Sequence, residues 1–346
     1  MALVGLVGVG PAESAPQKAR RPTPGRAAAP KSQAAAPKRP LYSAERSLTR
    51  RATLARSRAI ATAREMADTV VPRYKVDASG EIVPDVRAAA AIIYNPHTME
   101  VLWEENSLSQ RSIASITKVM TATVFLENNP DLAQGVVIMK SDVFLASTTY
   151  LHLNDRLTVD DLLHLLLIAS DNAAARALAR VSPYGTEGFI RRMNEKAAEL
   201  GLQSTSYADP SGLLSDNVSS AFDLARLIAH ASADERISSI MRLPEYTVYT
   251  GNRRVITIHS TNHLLGREDL EVRAAKTGFI AKSGYCLATL LRLPNDGHEV
   301  AVVVLGARSN AGRFMETRNL FNWLSVKAST IFATQAIPVS AAPAQQ

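Results

Sequence analysis

The chain of 346 residues holds one cysteine, Cys286, so no internal disulfide can form and cysteine content says nothing about redox compartment. Cys286 sits in the apolar run GYCLATLLRL, where a buried structural thiol is expected rather than a nucleophile. No apolar stretch is long enough to span a bilayer, and no internal repeat is visible. The seven histidines (His97, His152, His164, His230, His259, His263 and His298) form no metal-ligand spacing of the His-Glu-x-x-His kind, so no metal is implied. His259 and His263, four apart, fall in an expected loop before Lys276 and read as solvated or structural. A basic folded body is missing as well. The first 66 residues carry thirteen Lys and Arg against three Glu, a net +10; the remainder has 26 basic against 29 acidic side chains, a net −3. The formal +7 of the chain belongs to its N-terminal segment, which argues against a nucleic-acid-binding face on the folded part.

Apolar residues make up 46% of the chain, enough for a sizeable core. Residues 1–15, MALVGLVGVGPAESA, resemble the apolar region and cleavage zone of a secretory signal, without the positive residues that normally precede them. Residues 16–66 form a basic segment. Its first part, to residue 40, is too poor in bulky apolar residues to build a core and is expected to be disordered. Its second part, 41–66, is patterned as a basic helix, with a solvated face or attraction to an anionic surface as the two readings.

A compact domain is expected over 67–328, followed by a disordered Ala/Pro-rich tail over 329–346. AAAAIIY, NPHT and MEVLWEE read as strand, turn and strand. Thr158 and Asp161 stand in capping-box spacing before a strongly apolar helix. Ser170-Asp171-Asn172 breaks that helix from an Ala-rich one. TEGFIRRMNEKAAELGL and SSAFDLARLIAHA are patterned as further helices. EVRAAKTGFI, GYCLATLLRL and HEVAVVVLGA read as strands, the last two joined by the hairpin signal Asn295-Asp296-Gly297. GRFMETRNLFNWL is the final helix. Strands at both ends with helices between imply one antiparallel sheet shared by the two ends, an α/β (α+β) fold.

Three short motifs carry chemistry. Ser115 and Lys118, at i and i+3, share one face of a helix. Serine is a poor nucleophile until a neighbour takes its proton. A lysine desolvated among Ile116, Val119 and Met120 has its pKa pushed down, and a neutral amine is a competent base for an adjacent hydroxyl. The helix N-terminus adds a field that favours the alkoxide. Alone, the pair is a weak signal, equally read as a surface lysine on an ordinary helix. Ser170-Asp171-Asn172 can aim a hydroxyl and an amide inward, or be a plain helix break and cap. Lys276-Thr277-Gly278, late in an expected edge strand, offers a cation and a hydroxyl to a carboxylate; Gly278 lets a substrate backbone lie against the strand. By itself it reads as a lysine near a strand end.

Together, Ser-x-x-Lys, Ser-x-Asn and Lys-Thr-Gly, in that order and setting, mark the penicillin-recognising serine enzymes. With YADPSGL, SSAFDLARL, TNHLL and KTGFIAKSGYCLA, residues from about 67 to 325 resemble the low-molecular-mass penicillin-binding proteins, the serine D-alanyl-D-alanine peptidases. The resemblance implies a penicillin-binding/β-lactamase-like fold, an antiparallel sheet flanked by helices, with an all-helical subdomain carrying Ser170-Asp171-Asn172. It implies Ser115 as acylated nucleophile and Lys118 as general base. Ser170 and Asn172 would shuttle the proton and position substrate, and Lys276 and Thr277 would bind the substrate carboxylate. The N–H groups of Ser115 and Phe279 would form the oxyanion hole. An arginine near the final helix would assist the carboxylate, with Arg313 the candidate and Arg308 the fallback. It implies no cofactor; the partners are peptidoglycan stem peptides and cross-links, and β-lactams.

A class A β-lactamase would need a water-activating glutamate in a loop after Ser-Asp-Asn, and the corresponding stretch LQSTSYADPSGLLS has none. A non-catalytic penicillin-fold binding protein is disfavoured because every motif residue is intact. A high-molecular-mass transpeptidase would need a large module that 66 low-complexity residues cannot supply. Between endopeptidase and D-alanyl-D-alanine carboxypeptidase, the short stretch after Trp323 and the motifs DPSGL and KTGF look more like the endopeptidase branch. A peptidoglycan substrate implies an exported, periplasmic or extracytoplasmic protein, and gives the basic segment 16–66 a role against anionic lipid or wall polymer.

Overall fold

The computed structural model describes residues 72–294 and 297–335, the last eight by backbone alone, after a few helical positions between Thr53 and Ala63. The chain divides into two units, residues 1–54 and 55–346, and the architecture described here is that of the second. The signal-like stretch 1–15 and nearly all of 16–66 lie outside the described residues. So do Asn295 and Asp296 of the expected hairpin turn, and the tail beyond residue 335.

Strands β1 (Ala90–Asn95) and β2 (Glu100–Glu105) precede a block of helices: α1 (Thr117–Leu126), α2 (Val159–Leu167), α3 (Asn172–Val181), α4 (Gly185–Glu199) and α5 (Ala221–Ser232). Strands β3 (Glu271–Ile280), β4 (Gly284–Arg292) and β5 (Glu299–Ala307) and helix α6 (Asn310–Gln335) complete the path. The five strands form one sheet in the order β3-β4-β5-β1-β2, antiparallel throughout. The two ends of the domain meet in it, because β5 pairs with β1 in the register Val303↔Ile92. The strand carrying Lys276, β3, is an edge, as expected.

The sheet is buried on both faces. Ile92, Val303 and Leu305 pack with the helical block, whereas Ile93, Val302 and Val304 pack under α6 with Phe314, Phe321 and Leu324. Successive strand residues point to opposite faces, so two cores explain why β1 and β5 read as unbroken apolar runs rather than as alternation. In the helical block the expected capping box forms: Thr158 Oγ1 accepts from Asp161 N at 3.1 Å, and Asp161 Oδ2 accepts from Thr158 N at 2.9 Å. The small side chains of α3, Ala173, Ala174, Ala175 and Ala177, are fully buried and let it pack closely.

Three local expectations are corrected. Helix α6 runs on to Gln335, so residues 329–335 continue the helix instead of opening a disordered tail. His259 is not in a loop but ends a strand, Val255–His259, paired with Glu245–Tyr249; His263 stacks on Phe314 at 4.8 Å. The helical subdomain also contains a ribbon, Gly135–Val137 paired with Arg156–Thr158, which closes the base of the loop that reaches the Ser170 turn.

Candidate active site

Ser115 lies one step ahead of the long helix, in a 3-10 turn over Ala114–Ile116 that leads directly into α1. Lys118 follows on the first turn of α1. Its side chain is 0% exposed, and the neighbouring Ile116, Val119 and Met120 are buried with it. Burial pushes its ammonium down to about 7, against the opposing pull of Asp171 and Asp209. Its Nζ lies 2.9 Å from Ser115 Oγ, 2.6 Å from Asn172 Oδ1 and 2.5 Å from the carbonyl oxygen of Ser211. A neutral amine has two hydrogens and one lone pair. The amide and carbonyl oxygens can take both hydrogens, which leaves the lone pair for the Ser115 hydroxyl. The geometry therefore suits proton removal from Ser115.

The break between α2 and α3 is built by Asp171. It caps α3 by accepting from Ala174 N at 2.9 Å, and also accepts from Tyr150 N at 2.7 Å. Burial raises its carboxyl pKa despite these bonds. Ser170, just before the cap, has φ of +60°, a left-handed conformation costly for serine. Asn172 donates from Nδ2 to the carbonyl of Ala146 at 2.7 Å, which fixes the amide so that Oδ1 faces Lys118. Both expected side chains of this motif thus point at the lysines.

From the sheet edge, Lys276 reaches Ser170. Its Nζ donates to Ser170 Oγ at 2.9 Å and to Thr277 O at 3.1 Å. The side chain is 1% exposed. Burial, then the positive charges of Lys118 and Arg313, hold its pKa well below the ordinary lysine value. An anionic group placed beside it would favour its charged form, so the site gains most from a ligand that carries a carboxylate. Thr277 Oγ1 shares a hydrogen bond of 2.7 Å with Thr261 Oγ1. A Cβ at Gly278 would lie 2.6 Å from Ile113 O and 3.2 Å from Ser115 N, so only glycine lets β3 run this close to the nucleophile turn. Phe279 is half-exposed and stacks on Tyr285 at 4.2 Å. Arg313, the candidate for the substrate carboxylate, is buried, and its guanidinium bonds main-chain carbonyls and a side-chain amide. Nη1 donates to the carbonyls of Gly278 at 3.0 Å and Cys286 at 3.2 Å, and Nη2 to Asn310 Oδ1. Arg308 is exposed just after β5.

The turn Asp209–Leu214 also belongs to the site. Asp209 accepts from Ser211 N, Gly212 N and Leu214 N at 2.6, 2.8 and 2.7 Å, and from Asn217 Nδ2 at 2.8 Å. Burial opposes its charge, but these bonds outweigh it and leave its pKa below the usual aspartate value. The turn delivers the Ser211 carbonyl to Lys118. No side chain in it has the look of a catalytic group; Asp-Pro-Ser-Gly is a turn signature, and that is the one sequence signal pointing here.

A serine and a buried, pKa-lowered lysine, faced by a Ser-x-Asn turn and a Lys-Thr-Gly edge strand, define an acyl-transfer serine enzyme of the penicillin-recognising class. The family profile described as D-alanyl-D-alanine carboxypeptidase matches residues 77–309, and the chain belongs to that family. A D-alanyl-D-alanine endopeptidase of Haemophilus influenzae is 35% identical over 234 residues, 67% of this chain and 80% of its own. The crystal structure of the Streptomyces K15 DD-transpeptidase superposes with a TM-score of 0.64 at 27% identity, covering 69% of this chain and 97% of that one. Penicillin-binding protein D2 of Listeria monocytogenes, in its cefotaxime-bound form, superposes with a TM-score of 0.60 at 29% identity, covering 70% of this chain and 98% of that one. The protein is a serine DD-peptidase of the low-molecular-mass penicillin-binding proteins.

Proposed function

We propose that the protein opens peptidoglycan cross-links as a D-alanyl-D-alanine endopeptidase, through an acyl-enzyme on Ser115. The observation that carries this reading is the Lys118 amine, 2.9 Å from Ser115 Oγ and held by two further acceptors. Lys118 takes the Ser115 proton as Oγ attacks the D-alanyl carbonyl. The N–H groups of Ser115 and Phe279 receive the oxyanion. The scissile C–N bond breaks, and the departing amine receives a proton through Ser170, which Lys276 orients. Water then hydrolyses the ester. Lys276 and Thr277 hold the carboxylate beyond the scissile bond, and Asn172 positions the acyl side.

The likeness to a relative named as an endopeptidase favours the cross-link as substrate. Carboxypeptidase trimming of stem pentapeptides is the second reading, because both scissile bonds precede a D-centre with a free carboxylate. Purified muropeptides separate them. Conversion of cross-linked dimers to monomers is expected; release of D-alanine from pentapeptide monomers with dimers untouched would rule the endopeptidase out.

A peptidoglycan substrate places the working protein outside the cytoplasmic membrane. Among the described residues no helix is long and apolar enough to cross a membrane. The net +10 of residues 1–66 supports a tether to anionic lipid or wall polymer. Deleting residues 16–66 is expected to abolish salt-sensitive sedimentation with cell walls or anionic vesicles, and unchanged sedimentation would refute the tether.

A further inference from the structure

Arg313 stands behind the Lys-Thr-Gly strand, and its bonds bear on the oxyanion hole. One nitrogen, Nη1, reaches both Gly278 O at 3.0 Å and Cys286 O at 3.2 Å. These residues are opposite one another in the β3–β4 ladder. In an antiparallel pair the carbonyls of two opposed residues turn either both into the gap between the strands or both away from it. A single nitrogen touches both only if they turn inward. A trans peptide sets its C=O and N–H on opposite sides. The N–H in the Gly278–Phe279 peptide belongs to Phe279, so it leaves from the other side of β3, the free edge of the sheet. The nucleophile turn lies close against β3 at this point, since a Cβ at Gly278 would come within 3.2 Å of Ser115 N.

We propose that Arg313 is a positioning residue of the oxyanion hole, fixing and polarising the Gly278–Phe279 peptide from behind. The inference rests on the acyl-transfer reading above and assigns the arginine to the oxyanion in place of the substrate carboxylate. A charged donor on the carbonyl oxygen draws electron density through the peptide and makes its N–H a stronger donor. The guanidinium is itself held in place. Nη2 donates to Asn310 Oδ1, and its carbon lies 4.9 Å from the Phe314 ring centroid and 5.6 Å from that of Tyr285. Tyr285 in turn stacks on Phe279 at 4.2 Å. The strand end is thus clamped through both its main chain and its last aromatic side chain.

The test uses the full chain, two penicillins (one with its free carboxylate, one esterified there) and the variants Arg313→Gln and Arg313→Lys. Arg313→Gln is expected to slow acylation by both compounds by the same factor, about 10- to 100-fold, with their non-covalent binding unchanged. Arg313→Lys is expected to recover part of the rate, since an ammonium can still donate to Gly278 O. In the acyl-enzyme, the infrared stretch of the ester carbonyl is expected at higher frequency in Arg313→Gln, because a weaker oxyanion hole polarises it less. A loss confined to the free-carboxylate penicillin would return the arginine to carboxylate binding and overturn the proposal. An unmoved carbonyl stretch in both variants would overturn it as well, by leaving only a structural role. Failure of the wild type to acylate at all would instead sink the enzymatic reading on which the proposal depends.

Discussion

A labelled penicillin is expected to attach covalently to the native protein and not at all to Ser115→Ala. Lys118→Met is expected to slow the same attachment by about 10²–10⁴-fold, the usual contribution of a positioned base. Acylation kinetics read by gel fluorescence check both, with circular dichroism to show that each variant folds. Label surviving in Ser115→Ala would move the nucleophile elsewhere. The pH profile gives an independent check. The reactive form has a neutral Lys118, so acylation should rise with pH through about 7 and level off above it. Methionine has nothing to titrate there, so Lys118→Met should lose that limb. The same shift has a sign in stability. Lys118 titrates near 7 when folded and near the ordinary lysine value of 10.5 when unfolded, so between those values the unfolded chain binds more protons. The native state therefore gains stability relative to Lys118→Met as pH rises through that window. Below about pH 7 the buried amine is charged and the advantage is gone.

The lowered lysine was legible before any geometry. The apolar neighbours Ile116, Val119 and Met120 already implied desolvation, and all three are buried. The sheet and the capping box at Thr158 were legible because side-chain period and turn chemistry are local properties. Other parts of the site are not local. The Ser211 carbonyl is a main-chain group that any residue would supply; what brings it to Lys118 is a loop path set by Asp209. The strained φ of Ser170 depends on Asp171 being held from both sides, by α3 and by Tyr150. Arg313 was found by sequence, but its main-chain partners, the carbonyls of Gly278 and Cys286, were not. The resemblance places an arginine near the start of the final helix, while its contacts with Tyr285 and Phe314 show only in the packed structure. Thr261 opens the stretch TNHLL that carries part of the resemblance, but nothing local to it names Thr277 as its hydrogen-bond partner.

Gly212→Ala is expected to be the most damaging single methyl group in the domain. Gly212 has φ of +81°, where an L side chain costs roughly 1 kcal/mol. The larger cost is steric. Its Cβ would fall 2.1 Å from Ala114 O, 2.5 Å from Ala114 C and 2.9 Å from Ser115 N, all main-chain atoms that cannot swing aside. Either the nucleophile turn or the Asp209 turn has to move. The first is locked into α1, and the second is held by five hydrogen bonds on Asp209. Whichever gives way, the Ser211 carbonyl and Ser115 part company around Lys118. A misplacement of about 1 Å can cost about 10²-fold in rate, so acylation should fall by at least that factor. Thermal unfolding should show a loss of roughly 3 kcal/mol, in the range of overpacked buried sites. Gly266→Ala supplies the control, because Gly266 has φ of +75° but open space around its Cβ. It should suffer only the backbone strain and keep its acylation rate. If Gly212→Ala behaved like Gly266→Ala, the close approach of the Asp209 turn to the nucleophile would not be what holds Lys118 and Ser115 in register.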